Sequence, residues 1–126
     1  MLYIDVMSRK PVYEQIALQI EKLVAAGILK EGEQLPSVRS LSIELSVNPN
    51  TIQKAYGELD AKGITASVPG KGSFVIPGAR EKLLLMARGR LMEIQSLAAE
   101  LMGAGVTADE IIDAVNQVAS KKEEDK

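Results

Sequence analysis

The chain of 126 residues contains no cysteine and no histidine. Their absence excludes disulfide bonds, zinc sites built from Cys and His, and acid–base chemistry by an imidazole. Aromatic residues make up only 3% of the sequence, whereas 46% of the residues are hydrophobic. We therefore expect a folded chain with an aliphatic core and little β-sheet. We also predict no metal, no cofactor and no enzymatic activity, because the sequence offers no nucleophile–base pair, ligand cluster or cofactor loop.

Long apolar runs are missing as well. The longest, residues 83–87, is far shorter than the roughly 20 residues that a membrane-spanning helix needs. Asp5 interrupts the short apolar start, so we identify no signal peptide. We expect a cytoplasmic protein that does not contact a membrane, and the absence of cysteine agrees with this.

The chain has no strong excess of positive charge. Its formal net charge is −2 and its sequence pI is about 5.2, which argues against nucleic-acid binding if the whole chain is averaged. However, basic and acidic residues are equal in number over residues 1–76, and the acidic excess lies after them. A neutral N-terminal part can still bind DNA if its cations share one face, which the sequence does not reveal.

The most informative stretch is residues 48–59, which predicts a helix. Asn48 can cap its first turn, and Pro49 suits the first helical position. One stripe has the spacing of a buried helix face: Ile52, Ala55, Tyr56 and Leu59. The opposite side begins with polar residues: Asn50, Thr51, Gln53 and Lys54. Such a polar tip can be a solvent-exposed turn, or it can read base edges in the DNA major groove.

The flanking segments favour the second interpretation. We predict a helix from Pro11 to near Gly27 and another capped by Ser37, which with the helix after Asn48 forms a helix-turn-helix. Residues 64–68 and 73–76 predict a β-hairpin, or wing, around the turn that contains Lys71. Lys71 can either meet a phosphate or only improve solubility. Residues 2–6 are a candidate short strand.

Pro77 and Gly78 mark a predicted domain boundary. We therefore assign residues 1–77 to a winged helix-turn-helix domain and residues 78–126 to a two-helix tail, in a chain that is mostly α with a small β-hairpin. The tail would comprise a long helix over about residues 79–102 and a last helix capped by Thr107. Its apolar residues predict a dimer interface with coiled-coil spacing: Leu84, Ala87, Leu91, Ile94, Ala98 and Leu101 on the long helix, with Ile112 and Val115 on the last. The alternative is that the tail packs back on the N-terminal domain.

Taken in order, several segments resemble the GntR superfamily of bacterial transcription regulators. The resemblance covers about residues 2–76 and rests on these segments: residues 11–16, 32–39, 47–51, 54–56 and 70–75, with Leu59 and Gly63. The short tail resembles the YtrA subfamily. The tail is too short for the effector-binding or aminotransferase-like domains found in most other subfamilies.

The resemblance implies a dimeric winged helix-turn-helix protein bound to a pseudo-palindromic operator in double-stranded DNA. It also implies a repressor of its own operon, often together with adjoining ABC-transporter genes. Positions matching the family's DNA contacts are Ser37, Arg39, Asn48, Asn50, Thr51, Gln53, Lys54, Gly70, Lys71 and Gly72. Ser37 can instead serve only as a cap, and Arg39 can form only a surface ion pair.

The sequence leaves two alternatives open, one about function and one about regulation. One alternative function is a winged helix that binds proteins without specific DNA binding, although such a module has no need for the polar tip, Arg39 and Lys71 together. The other question is whether a small-molecule effector exists. It would have to bind between the tail and the winged domain or at the dimer interface.

Overall fold

The fold is described from a computed structural model, which covers residues 2–124. Its elements, in chain order, are α1 Val12–Ala25, α2 Val38–Leu45, α3 Pro49–Ala61, β1 Thr65–Val68, β2 Gly72–Val75, α4 Ala79–Gly89, α5 Leu91–Gly103 and α6 Ala108–Glu124. The chain divides between Met86 and Ala87 into two compact units.

The core of the first unit is aliphatic, as the composition predicted. Helix α3 packs against α1 and α2. Its buried stripe is the predicted one, with Ile52, Ala55, Tyr56 and Leu59 all buried. The largest fully buried side chains are Ile16, Ile20, Val24, Leu41, Ile52, Leu59, Ile64 and Val75. Burial of each large aliphatic side chain contributes about 1.5–3 kcal/mol relative to exposure, so this cluster is the main source of the unit's stability.

The turn between α2 and α3 is tight and defined by backbone hydrogen bonds. Ser46 adopts a left-handed conformation with φ 55°, and the Val47 N–H donates to the Ser42 carbonyl at 3.0 Å. This is a helix-ending motif that satisfies a free carbonyl of α2. Asn48 then caps α3, with its Oδ1 accepting from the Asn50 N–H at 2.8 Å. The predicted helix-turn-helix is thereby confirmed.

The predicted wing is also present, but it has a third backbone partner. Strands β1 and β2 are antiparallel, with Thr65 opposite Val75 and Val68 opposite Gly72. The segment before α2 adds hydrogen bonds along β2: the Leu35 N–H donates to the Ser73 carbonyl at 2.8 Å, and the Val75 N–H donates to the Glu33 carbonyl at 2.9 Å. The wing is therefore joined to the rest of the unit by backbone as well as by side chains.

The prediction of a short strand at residues 2–6 is wrong. These residues are not part of a sheet; instead, glutamine side chains of α1 bind their backbone. Gln19 Nε2 donates to the Tyr3 carbonyl at 2.7 Å and its Oε1 accepts from the Tyr3 N–H. Gln15 makes the equivalent pair of bonds with Asp5. Side-chain amides thus satisfy the groups that a neighbouring strand would otherwise satisfy.

The start of α4 belongs to the first compact unit. Ala79 is fully buried, and Leu83 packs against the core. The Arg80 guanidinium donates from Nε to the Ala25 carbonyl at 2.9 Å. The predicted boundary after residue 77 therefore precedes the division between the compact units, because the first turns of α4 contribute to the core of the winged part.

The single long helix predicted over residues 79–102 is interrupted. Helix α4 ends at Gly89 and α5 begins at Leu91. At the break, the Arg90 N–H donates to the Ala87 carbonyl at 3.0 Å, three residues back rather than four. Glycine disfavours a helix interior, which accounts for a break here. Within residues 2–124, no helix is both long and apolar enough to cross a membrane.

The second unit packs α5 against α6. Thr107 caps α6 as predicted, with its Oγ1 accepting from the Glu110 N–H at 3.2 Å. The Glu110 carboxylate in turn accepts a hydrogen bond from the Thr107 N–H at 2.8 Å. This reciprocal pair is a capping box, and it fixes where α6 begins.

Candidate nucleic-acid interface

The polar tip of α3 lies on the surface of the first unit. Asn48, Asn50, Gln53 and Lys54 are exposed and Thr51 is half-buried. They lie opposite the stripe that buries Ile52, Ala55, Tyr56 and Leu59. The tip therefore presents three amides, a partly exposed hydroxyl and a cation within two helical turns.

The first turn of α1 lies beside this tip. Lys54 Nζ is 4.1 Å from the centroid of the Tyr13 ring, a distance at which the ring attracts the ammonium group. Desolvation, together with the carboxylates of Glu14 and Glu58, raises the pKa of Tyr13. Residues 11–13 and Asn50, Thr51 and Lys54 line a shallow cleft. Residue spacing does not reveal the contact between Tyr13 and Lys54, because it joins two separate helices.

Ser37 and Arg39 lie at the start of α2. Ser37 Oγ accepts from the Ser40 N–H at 3.0 Å, so its capping role is present in the fold. The Arg39 side chain is exposed, and it forms no salt bridge with any described residue. Its guanidinium is therefore available to an external anion or base edge.

Gly70, Lys71 and Gly72 form the exposed tip of the wing. The two glycines have φ 76° and 113°, which L side chains rarely adopt. The Lys71 N–H donates to the Val68 carbonyl at 2.9 Å, and the Lys71 carbonyl accepts from Gln34 Nε2 at 2.8 Å. Gln34, which was not among the predicted site residues, thus contacts the wing tip directly.

The base of the wing is joined to the end of α3 by a network of hydroxyl groups. The Asp60 carboxylate accepts hydrogen bonds from the hydroxyls of Thr65 and Ser67. The Ser67 hydroxyl also lies 3.0 Å from the Ser73 hydroxyl on the paired strand. These contacts link α3 to both strands of the wing. The sequence carries a weak signal for them: an acidic residue near a helix end, followed by hydroxyl residues that alternate along a strand.

Tyr56 connects α3 to the segment before α2. Its hydroxyl donates to the Pro36 carbonyl at 2.7 Å, and its side chain is almost fully buried. Burial raises the pKa of Tyr56 from 10.0 to about 12, so in the folded chain the hydroxyl stays protonated and keeps donating beyond pH 10. This bond fixes the start of α2, and with it Ser37 and Arg39, relative to α3.

The predicted dimer residues fall in both units. In the second unit, Ile94, Ala98 and Leu101 of α5 and Val115 of α6 line one apolar groove of about 340 Å³. Leu91 and Ile112 lie outside the groove lining; they are exposed, as is Ala87. Leu84 belongs to the first unit and is also exposed. Ile94 and Val115 keep 52% and 53% of their surfaces accessible, so the contact between α5 and α6 leaves large apolar side chains uncovered.

The first unit thus consists of a tight helix-turn-helix followed by a two-stranded wing. This architecture defines a winged helix-turn-helix protein. Residues 12–75 match the family described as "Bacterial regulatory proteins, gntR family". The chain belongs to this family, whose members are regulators rather than enzymes.

Similar proteins extend the match beyond the winged part. The HTH-type transcriptional repressor YtrA of Bacillus subtilis is 34% identical over 121 residues, which span 95% of this chain and 93% of YtrA. A transcriptional regulator from Oenococcus oeni has a solved structure with a TM-score of 0.73 and 32% identity, covering 94% of this chain and 99% of that one. The YtrA-like resemblance is thereby confirmed along nearly the whole chain.

A third similarity includes DNA. The DNA-binding domain of AraR, solved in complex with the operator ORX1, is 30% identical with a TM-score of 0.53. It covers 59% of this chain and 92% of the AraR chain.

Proposed function

We propose that this protein is a sequence-specific, DNA-binding transcription regulator. The observation that carries the proposal is the exposed polar tip of α3, presented by a helix-turn-helix and followed by a wing with Lys71 at its tip. Family membership and the similarity to an AraR domain bound to its operator support it. The even charge balance of the winged part is no obstacle, because Arg39, Lys54 and Lys71 are all exposed.

In this proposal the tip of α3 enters the major groove. Asn50 or Gln53 bonds to base edges, and Thr51 contacts a phosphate or a thymine methyl group. Asn48 and Lys54 flank these positions, and Lys54 attracts the DNA backbone. Arg39 offers a fork of donors to a phosphate or to guanine. Ser37 contacts a phosphate while it caps α2, and residues 70–72 reach the minor groove or its backbone.

The protein is proposed to act as a homodimer. The support is the uncovered apolar surface of α5 and α6, where Leu91, Ile94, Leu97, Ile112 and Val115 each keep more than half of their surface accessible. A second copy can cover this surface by a closed, symmetric contact. Leu84, Ala87, Ala98 and Leu101 complete the proposed interface. If a small-molecule effector exists, the apolar groove between α5 and α6 suits an apolar ligand that acts at this interface.

We propose repression as the mode of action, because YtrA of Bacillus subtilis is named a transcriptional repressor. Two wings and two α3 helices related by dimer symmetry would bind a pseudo-palindromic operator. The expected targets are the protein's own operon and adjoining ABC-transporter genes. The protein is proposed to act in the cytoplasm.

The proposal is tested by fluorescence anisotropy with labelled DNA. The duplex lies immediately upstream of the protein's own coding sequence, and a scrambled duplex of equal composition is the control. We expect tighter binding to the upstream duplex, weakening as salt rises because phosphate contacts release counterions. Equal, weak binding to both duplexes would contradict autoregulation. Absence of binding to either at low salt would contradict DNA binding and favour a protein-interaction module.

A further inference from the structure

Backbone hydrogen bonds of its two neighbours hold Gln34 beside the wing. The flanking residues bond to β2, because the Leu35 N–H donates to the Ser73 carbonyl and the Glu33 carbonyl accepts from the Val75 N–H. Gln34 itself lies opposite Phe74 in an isolated antiparallel bridge. The backbone at Gln34 is therefore fixed relative to the wing independently of any contact that the Gln34 side chain makes.

The side chain of Gln34 then reaches the wing tip. Its Nε2 donates to the Lys71 carbonyl at 2.8 Å. The approach depends on glycine at position 72, where a Cβ would lie only 2.6 Å from Gln34 Nε2. The bare Gly72 backbone and the Gln34 amide are thus complementary, and the result is a side-chain bridge to the residue that carries the wing's cation.

Little else orders the wing tip. The residues of the turn have one backbone bond of their own, from the Lys71 N–H to the Val68 carbonyl. The backbone bonds that join β2 to the segment before α2 extend towards the tip only as far as Ser73. A mobile tip would have to be ordered when DNA binds, and that ordering would reduce the affinity. The Gln34 bridge restricts the tip before binding.

We infer that Gln34 is a positioning residue for the wing, which holds Lys71 in place for a DNA phosphate without requiring contact between Gln34 and DNA. The inference rests on the proposed DNA-binding function. Gln34 itself lies outside α3 and outside both strands of the wing. Because the hydrogen bond is exposed, its loss should change stability little, but it should remove the advantage of a preordered tip.

The test is a double-mutant cycle on DNA binding. Gln34→Met keeps the side-chain length and removes the donor, and Lys71→Ala removes the cation. The probe is a duplex recovered with the wild-type chain by selection from a random-sequence pool. A net hydrogen-bond contribution corresponds to about a two- to tenfold change in Kd. We expect Gln34→Met to weaken binding by this factor. We also expect it to reduce the dependence of log Kd on log salt concentration, as Lys71→Ala does. In the Lys71→Ala background it should have no further effect.

Gln19→Met is the matched control. The Gln19 side-chain amide also bonds to backbone, but it does so from α1 through two hydrogen bonds to Tyr3 rather than at the wing. We expect its Kd and salt slope to equal those of the wild type. Thermal unfolding of Gln34→Met checks that the variant is folded.

Two results would overturn the inference while leaving the proposed function intact. One is wild-type affinity of Gln34→Met when Lys71→Ala is weakened. The other is a double variant whose loss of binding free energy equals the sum of the two single losses. Additive effects are independent effects, which would mean that Gln34 does not act through Lys71. Wild-type affinity of Lys71→Ala would count against the wing contact itself, and the inference would fail with it. Absence of a selectable duplex would instead contradict the proposed function.

Discussion

Arg39 is an exposed cation in the first turn of α2 and has no salt-bridge partner among residues 2–124. A cation in the first turn gains nothing from the helix dipole, which favours negative charge there. Its position is therefore better explained by a role in binding than by a role in folding. Arg39→Ala should weaken DNA binding by about 1–3 kcal/mol, the range for a good bidentate base contact, and leave thermal unfolding unchanged. Anisotropy with the upstream duplex and calorimetry measure the two effects.

Arg39→Lys separates charge from shape. Lysine keeps the cation but cannot form a planar fork, so recovery of full affinity would indicate a simple phosphate contact. Unchanged affinity of Arg39→Ala would remove Arg39 from the interface.

Tyr56 is the residue whose ionisation should appear in stability. Its pKa is about 12 in the folded chain, raised from 10.0 by burial. The folded state therefore favours the protonated hydroxyl. The stabilisation is fully present below about pH 10 and is lost as the pH rises from 10 towards 12. Tyr56→Phe removes both this dependence and the bond to the Pro36 carbonyl, which costs about 1 kcal/mol.

Urea unfolding of wild type and Tyr56→Phe between pH 8 and about 11.5 measures this difference. We expect the stability gap to be constant up to about pH 10 and to narrow above it, because only the wild type can ionise at this position. A gap that widened with pH would contradict a buried, protonated hydroxyl.

At the scale of elements, the Asp60 network makes α3 and the wing one structural unit. Thr65 is only 3% exposed, so Asp60→Ala would leave its hydroxyl buried without its partner, at a cost of about 1–3 kcal/mol. We expect amide hydrogen exchange to quicken in β1 and β2 more than in α1. Glu58 is an exposed carboxylate on the same helix, so Glu58→Ala is the control. This variant should leave amide exchange unchanged in the wing strands and in α1. A uniform increase across the unit would show that Asp60 supports global stability rather than the wing.

Elements whose stability depends on nearby residues could be predicted from the sequence. Asn48, Pro49 and the stripe from Ile52 to Leu59 mark α3 within twelve residues, and all of these features are present in the fold. Ser37 and Thr107 were likewise recognised as caps. Each depends on contacts within one or two helical turns, which residue spacing reveals directly.

Contacts between distant residues could not be predicted. Gln34 bonds to Lys71, 37 positions away, and nothing in the local pattern of either segment indicates it. Residues 2–6 were predicted as a short strand, but the side-chain amides of Gln15 and Gln19 take the place of a neighbouring strand. They form hydrogen bonds with the backbone of Asp5 and Tyr3. The interruption at Gly89 was missed because the apolar spacing continues across it. The roles of the predicted DNA-binding and dimer residues stay predictions.

At the scale of the whole molecule, the proposed binding to a pseudo-palindromic operator requires two copies of the chain. Ile94→Glu would place a carboxylate in the apolar groove between α5 and α6, where burying its charge against a second copy is unfavourable. We expect a monomer in analytical ultracentrifugation. Operator affinity should fall about a hundredfold or more, because the advantage of two linked half-site contacts is lost.

Ser96→Glu is the matched control, since Ser96 lies on the opposite side of α5 from the groove by helical spacing. This variant should remain a dimer with unchanged affinity. If Ile94→Glu still sedimented as a dimer, α5 would have to be removed from the interface.

A hydroxyl-radical footprint of the wild-type chain on the upstream duplex tests directly whether a symmetric dimer recognises the operator. A symmetric pair of α3 helices predicts two protected half-sites on one face of the DNA. Their centres should lie about one helical turn, roughly 34–36 Å, or a multiple of it apart. Wings contacting the backbone should extend protection beyond each half-site. A single protected half-site would contradict the dimeric geometry, and unprotected DNA at saturating protein would contradict DNA recognition by this fold.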